Sequence, residues 1–221
     1  MNQIIEILQR VDIIQGIVDT LLMVVFSTIV AYLIGVPIGV FVLTTEKEGL
    51  FPNKIIHKTL NVIINLGRSI PFIILLIALI PMTRAIIGTS IGVRGMIIPL
   101  AIGAIPFVAR LTEASLNEVD RGVIEAAKCM GCSHLDIIFK VYLVETIPSF
   151  IRGLAITLIM LIGYSALSGA VGGGGLGNIA IENGYYRFDT QTMLVVLVFI
   201  VIIVQVIQLI FDRIAKKIDK K

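Results

Sequence analysis

The chain has 221 residues, of which 57% are hydrophobic and 15% charged, and its mean hydropathy is +1.01. One soluble domain of this length cannot bury that much apolar surface, so the composition excludes a water-soluble globular protein and makes lipid the solvent. The net charge of +3 is small, and its distribution, described below, needs no nucleic acid to account for it.

Residues 1–16 carry Glu6 and Asp12, lack a basic leading region, and run into an apolar stretch too long for a signal core, so they do not read as a cleavable signal peptide. Ile4, Ile7, Leu8, Val11 and Ile14 recur at helical spacing opposite Gln3, Glu6 and Arg10. That pattern suits an amphipathic helix at the membrane interface, or an extension of the first span.

Charge-free runs then mark the spans. Thr20 to Thr45 (26 residues), Gly153 to Ile181 (29) and Thr190 to Phe211 (22) each exceed the roughly 20 residues that cross about 30 Å of hydrocarbon as a helix. Ser69 to Thr83 and Gly95 to Ala109 are shorter, and extending them past Arg68 and Arg94 gives Leu60 to Thr83 and Ile86 to Ala109. Five helices satisfy every backbone group in lipid, and the alternation of a β-barrel is absent. The expected organisation is an all-α integral membrane protein: an amphipathic segment 1–16, a membrane domain 17–211 and a basic tail 212–221.

Segments 44–59, 110–152 and 212–221 hold 13 of the 18 Lys and Arg, while the opposite set holds Arg10, Arg84, Arg94 and Arg187. The positive-inside rule therefore puts residues 110–152 and the C-terminus in the cytoplasm and the N-terminus outside. Within the cytoplasmic segment, Asp120 can cap a short helix from Arg121 through Met130, and Gly131 can end it in the left-handed conformation. Ser133-His134-Leu135-Asp136 is a capping-box pattern that opens a second helix. Helix spacing alone suits either a solvated connector or a docking helix, with Ala126 and Ala127 permitting close approach and Glu125 supplying an oriented charge.

Glu125-Ala126-Ala127, three residues, then Gly131 resembles the EAA loop, about 120–144 here, of binding-protein-dependent ABC importer permeases. The family pattern continues with nine residues and Ile-x-Leu-Pro; here that tail reads Val141-Tyr142-Leu143-Val144, without the final proline. Longer strings, among them Arg68 to Leu76, Ile80 to Arg84, Gly88 to Gly92 and Gly163 through Gly177, resemble the methionine branch of that family. The resemblance implies a type I ABC importer permease fold with five transmembrane helices and a cytoplasmic coupling helix, importing methionine (L- and possibly D-) by alternating access. It further implies a homodimer, a cytoplasmic ABC ATPase subunit docked on Glu125, Ala126, Ala127 and Gly131, and an extracytoplasmic substrate-binding protein. ATP and Mg would reside on the ATPase, with no cofactor on this chain; no Gly-Lys-Ser or Gly-Lys-Thr is present to form a phosphate-cradling loop.

Arg68 falls inside the second expected span, where ionisable groups are costly, and could meet a substrate carboxylate, pair within a dimer or snorkel. Met160, Tyr164 and Ser165 are further pathway candidates, with helix packing as the plainer account. Gly172, Gly174 and Gly177 match G-x-G-x-x-G without the βαβ unit that dinucleotide binding needs. Gly35-x-x-x-Gly39 and Gly169-x-x-x-Gly173 permit close helix approach, either within one subunit or at a dimer seam. Cys129 and Cys132 form a C-x-x-C without a second ligand pair, so reduced thiols are expected rather than a metal site. An intramembrane protease would need a buried base, and both histidines, His57 and His134, lie in polar loops. A passive channel, and an importer of another small amino acid or related metabolite, complete the alternatives.

Overall fold

The structure is a computed structural model that describes residues 11–219. The expected amphipathic pattern through Ile4, Ile7 and Leu8 lies outside those residues. Among the described residues every element is helical, and seven helices reach nine residues or more: α1 (Ile13–Thr44), α2 (Lys54–Ser69), α3 (Phe72–Ile87), α4 (Gly92–Leu116), α5 (Arg121–Cys129), α6 (Ile147–Ser168) and α7 (Thr190–Ile218).

By length and composition α1, α4, α7 and Ile147–Val171 can each cross a membrane, and α2 and α3, separated by a sharp break, can together make a fifth. The sequence pattern runs Leu60 to Thr83 as one helix; α1 and α3 continue through Pro37 and Pro81, but here the helix breaks at Pro71. Its ring leaves no N–H for a helical bond and drives Ile70 out of the helical region, and Pro71 itself is extended at φ −59°, ψ 129°. The third span likewise starts later than expected, because Ile86 and Ile87 finish α3. Gly88 (φ 84°) ends that helix by donating to the Arg84 carbonyl. The fourth leaves the α conformation at Ser168 and passes through glycines of positive φ at 172, 174 and 175.

The chain divides into two compact units. One joins Val30 and the described residues before it to Ile70–Ala104 and Leu158–Gln208. Its core includes Ile13, Leu176 and Val196. The Thr20 hydroxyl donates to the Gly16 carbonyl at 2.8 Å and accepts the Leu176 N–H at 2.9 Å, which pins the glycine-rich turn to α1. A Cβ on Gly169 would lie 2.3 Å from the Gly177 backbone, so this small-residue motif packs within the chain.

The other unit joins Ala31–Ser69, Ile105–Thr157 and the described residues from Leu209 on. Val42, Ile64 and Ala109 bring α1, α2 and α4 together. Gly35 and Gly39 face Val108, Ala109 and Thr112 of α4, so the second small-residue motif also serves intrachain packing. Arg110 donates to Glu113 at 2.5 Å and to the Asn61 and Asn65 side-chain oxygens at 2.8 and 3.1 Å, tying α2 to α4.

A Cβ on Gly39 would sit 2.5 Å from the Ala109 carbonyl oxygen and 2.6 Å from Thr112 Cβ, whereas one on Gly163 meets nothing within 4 Å. Gly39→Ala is expected to destabilise the protein by about 1–3 kcal/mol through overpacking. Gly163→Ala should leave stability within about 1 kcal/mol of the parent, since a helix interior favours Ala over Gly. Thermal unfolding of the two variants in detergent, followed by circular dichroism, checks the contrast.

Candidate functional site

The segment after α4 folds as its capping residues dictate. Asp120 is extended (φ −60°, ψ 129°) and accepts the Gly122 N–H at 2.6 Å, satisfying one of the unpaired donors that open α5. At the other end Cys132 N–H donates to the Ala127 carbonyl at 3.1 Å and Gly131 N–H to Lys128 at 3.0 Å, with Gly131 at φ 80°. These paired bonds make a Schellman turn, which needs the left-handed residue that glycine supplies without strain. Ser133 then caps the next helix by accepting the Asp136 N–H at 3.2 Å, and donates its own hydroxyl to the Asp136 carboxylate at 2.5 Å. That helix opens as His134–Asp136, widens into a π-helical turn over Ile137–Tyr142, and closes as Leu143–Glu145.

Helix α5 has two faces. Ile124 and Ala127 are buried with Leu50, Val119, Ile137 and Ile138 in one apolar cluster. Glu125, Ala126 and Lys128 are exposed. The Glu-Ala-Ala triplet is therefore divided: Glu125 and Ala126 look outward, while Ala127, only 3% exposed, seats the helix. Gly131 is exposed at the turn. Cys129 and Cys132 are free and exposed, and no group of three or more His, Cys, Asp or Glu among the described residues is placed to hold a metal.

Beside α5 lies a cavity of about 340 Å³, walled by Leu43, Glu46 and Leu50 on one side and by Arg121, Glu125 and Tyr142 on the other. Glu48 and Arg121 form an ion pair across its rim, exposed enough to contribute little to stability. Burial pushes the Tyr142 phenol above its ordinary value, the Arg121 charge draws it down, and Glu46 pushes it up again. The turn carrying Glu46 escaped the sequence reading. Its only signal was a polar Glu46-Lys47-Glu48-Gly49 string after a long apolar run.

The pathway candidates separate. Arg68 is exposed in the last turn of α2, just before the break at Pro71, and a cation there suits the helix C-terminus. Met160 and Tyr164, four residues apart on α6, are half-buried, and the Tyr164 ring stacks on Phe72 at 4.1 Å and 5°. Ser165 is buried and donates its hydroxyl to the Ile162 carbonyl at 2.8 Å, so its polar group is already committed. Arg68 belongs to one compact unit and the other three to the second.

A family model described as binding-protein-dependent transport system inner membrane component matches residues 31–221. The chain belongs to this family. It is 46% identical over 203 residues to the probable D-methionine transport system permease protein MetI of Vibrio cholerae, covering 92% of this chain and 90% of that one. It is 46% identical over 177 residues to the methionine import system permease protein MetP of Bacillus subtilis, 80% of each chain. Among solved structures, an inward-facing form of the MetNI methionine ABC transporter matches with a TM-score of 0.93 and 43% identity, over 94% of this chain and 96% of that one. An amino acid ABC transporter crystallised with histidines shares the fold alone, at a TM-score of 0.75 and 19% identity over 93% of each chain.

In this inner-membrane transport component the start of the second polar helix carries a titratable brace. The hydrogen bond from Lys140, then that from Ser133, hold the Asp136 carboxyl below its ordinary 3.8. A carboxyl depressed in the folded state adds stability above its ordinary value and loses it as the pH falls through the depressed value. Lys140→Gln is expected to raise the Asp136 titration midpoint towards 3.8, which a ¹³C carboxyl NMR titration reads directly.

Proposed function

We propose that this chain is the membrane-spanning permease subunit of an ATP-driven importer that carries methionine across the cytoplasmic membrane. The likeness to MetI and MetP relatives over most of both chains carries the substrate assignment, and the match to the MetNI transporter supports the architecture. On this reading two copies form a homodimer, each bound to a cytoplasmic ABC ATPase subunit, and an extracytoplasmic binding protein delivers the substrate. ATP and its Mg belong to the ATPase. The distribution of basic residues supports a cytoplasmic C-terminus and an N-terminus outside.

Helix α5 is the docking element in this proposal. Its exposed Glu125 and Ala126 meet the ATPase, Ala127 holds the helix on the permease, and the Gly131 turn fixes where the helix ends. Closure of the ATPase pair on ATP moves the docked helices, and the spans convert that movement into alternating access. Met160 and Tyr164 would line the pathway and Arg68 remains a separate candidate for it, whereas Ser165 would shape it through the backbone. A weak pathway site is consistent with so few uncommitted polar side chains, which leaves selectivity mainly to the binding protein.

Reconstitution of the chain with its ATPase and binding protein in liposomes, with labelled methionine and competing amino acids, tests the reading. ATP-dependent methionine uptake is expected, falling about tenfold or more in Glu125→Lys, since reversing an interfacial charge juxtaposes like charges. Uptake of a different amino acid would replace the substrate and keep the importer. Flux indifferent to ATP would overturn the proposal.

A further inference from the structure

The segment before α7 displays a cluster that neither the packing nor the proposed transport cycle uses. Tyr185, Tyr186 and Phe188 are 61%, 62% and 87% exposed, with the exposed Arg187 among them. Phe188 is the one non-glycine residue of positive φ among the described residues, at 56°. A bulky side chain in that region is strained, so the surrounding bonds must hold it there. Phe188 N–H donates to the Tyr185 carbonyl at 3.4 Å, Asp189 N–H to Asn183 at 3.2 Å, and Thr190 N–H to Phe188 at 3.1 Å. Asp189 also caps α7, accepting the Thr192 N–H at 3.1 Å and its hydroxyl at 2.7 Å. Gly184 is buried, and a Cβ there would come within 2.7 Å of Met193, so the loop backbone lies directly on α7. The aromatic tip is thus presented by a turn bonded on both sides and seated on the helix that follows.

We propose that Tyr185, Tyr186, Arg187 and Phe188 form a lipid-headgroup anchor that fixes the end of α7 at the membrane boundary. The occupant follows from continuity with the face beside it. Helix α7 holds the most apolar candidate span, with a mean hydropathy of 3.2 and 6% of that window buried within the chain. Leu194, Leu197, Val198, Val201 and Ile202 make an exposed stripe that begins six residues after Phe188. Rings with one apolar and one wet end favour the headgroup layer that borders such a face. A guanidinium among them matches lipid phosphate in charge and geometry. The Tyr185 and Tyr186 rings meet at 5.5 Å and a 54° tilt, and both side chains stay largely exposed.

The chain contains no tryptophan, so Phe188→Trp places a single indole at the tip, which excitation beyond the tyrosine absorption band reads alone. The full chain carrying this change, reconstituted in phosphatidylcholine vesicles, is expected to emit at a blue-shifted wavelength. Lipids brominated near the headgroup should quench it more strongly than lipids brominated near the chain ends. Tyr186→Trp in the same vesicles gives a second reporter should the first variant fold poorly, and the same order of quenching is expected. Emission at the wavelength of a water-exposed indole, quenched by aqueous iodide and not by brominated lipid, would overturn the anchor. So would a spectrum that shifts only when the binding protein is added, or only as the protein-to-lipid ratio rises, since those outcomes assign the surface to the binding protein or to a second copy.

Discussion

Hydrocarbon offers no partner to a peptide N–H or C=O, and each one left unpaired there costs several kcal/mol. That constraint governs how this chain departs from a set of straight helices. At the α2–α3 break the first residue after the bend is Pro71, which has no N–H to satisfy, and its carbonyl accepts the Ile74 and Leu75 amides at 3.0 and 3.1 Å. At the glycine-rich turn, Gly173 N–H returns to the Ser168 carbonyl at 2.9 Å, Gly92 N–H reaches Gly172 at 2.9 Å, and Leu176 N–H finds the Thr20 hydroxyl. Buried threonines obey the same rule, Thr28 and Thr157 donating to carbonyls four residues back at 2.7 and 2.9 Å. Among the described residues only the Thr83 hydroxyl is a buried side-chain polar atom without a partner.

Close helix approach is the second consequence of using lipid as solvent. Without a hydrophobic force between spans, packing has to come from surfaces that fit, and small residues let backbones meet. Gly35 and Gly39 place α1 against α4 in one unit, and Gly169 and Gly177 place two backbone stretches in contact in the other. Polar and charged groups are kept where they can be paired. Arg110 sits between Glu113, Asn61 and Asn65, and the His57 ring bonds the Val42 carbonyl through Nδ1 at 3.0 Å and the Asn61 amide through Nε2 at 3.1 Å.

Much of this was legible in the sequence, for reasons tied to particular residues. Spans read well because a charge-free run of 20 or more residues has few other solutions. The ends of α5 read well because Asp120 and Gly131 act through local backbone geometry. Breaks inside apolar runs were harder, since hydropathy sums straight through Pro71 and through the glycines after Ser168. For the same reason the sequence did not show that Arg68 closes a helix. The direction of a small-residue motif is invisible to spacing, and so is the division between Ala126 and Ala127, because both depend on which neighbour the fold supplies. The second wall of the cavity beside α5 comes from Glu46 to Leu50, about eighty residues earlier in the chain, a long-range pairing that no local pattern encodes.

A nine-residue helix is marginal by itself in water, because nucleation fixes several residues before the first bonds repay the entropy. What makes α5 a firm element is its seat: Ile124 and Ala127 share one core with Leu50 of the turn after α1 and with Ile137 and Ile138 of the π-helical stretch that follows. Under the proposed function this seat transmits the motion, because a displacement of the exposed Glu125 face has to carry the whole cluster with it. Close-packed interiors pass strain on instead of absorbing it. The helix therefore separates two roles by face. Under that proposal outward residues would decide whether the ATPase binds, and inward ones whether binding does mechanical work. Enlarging Ala127 would strain the seat without removing a docking contact, whereas altering Glu125 would remove a contact and leave the seat intact.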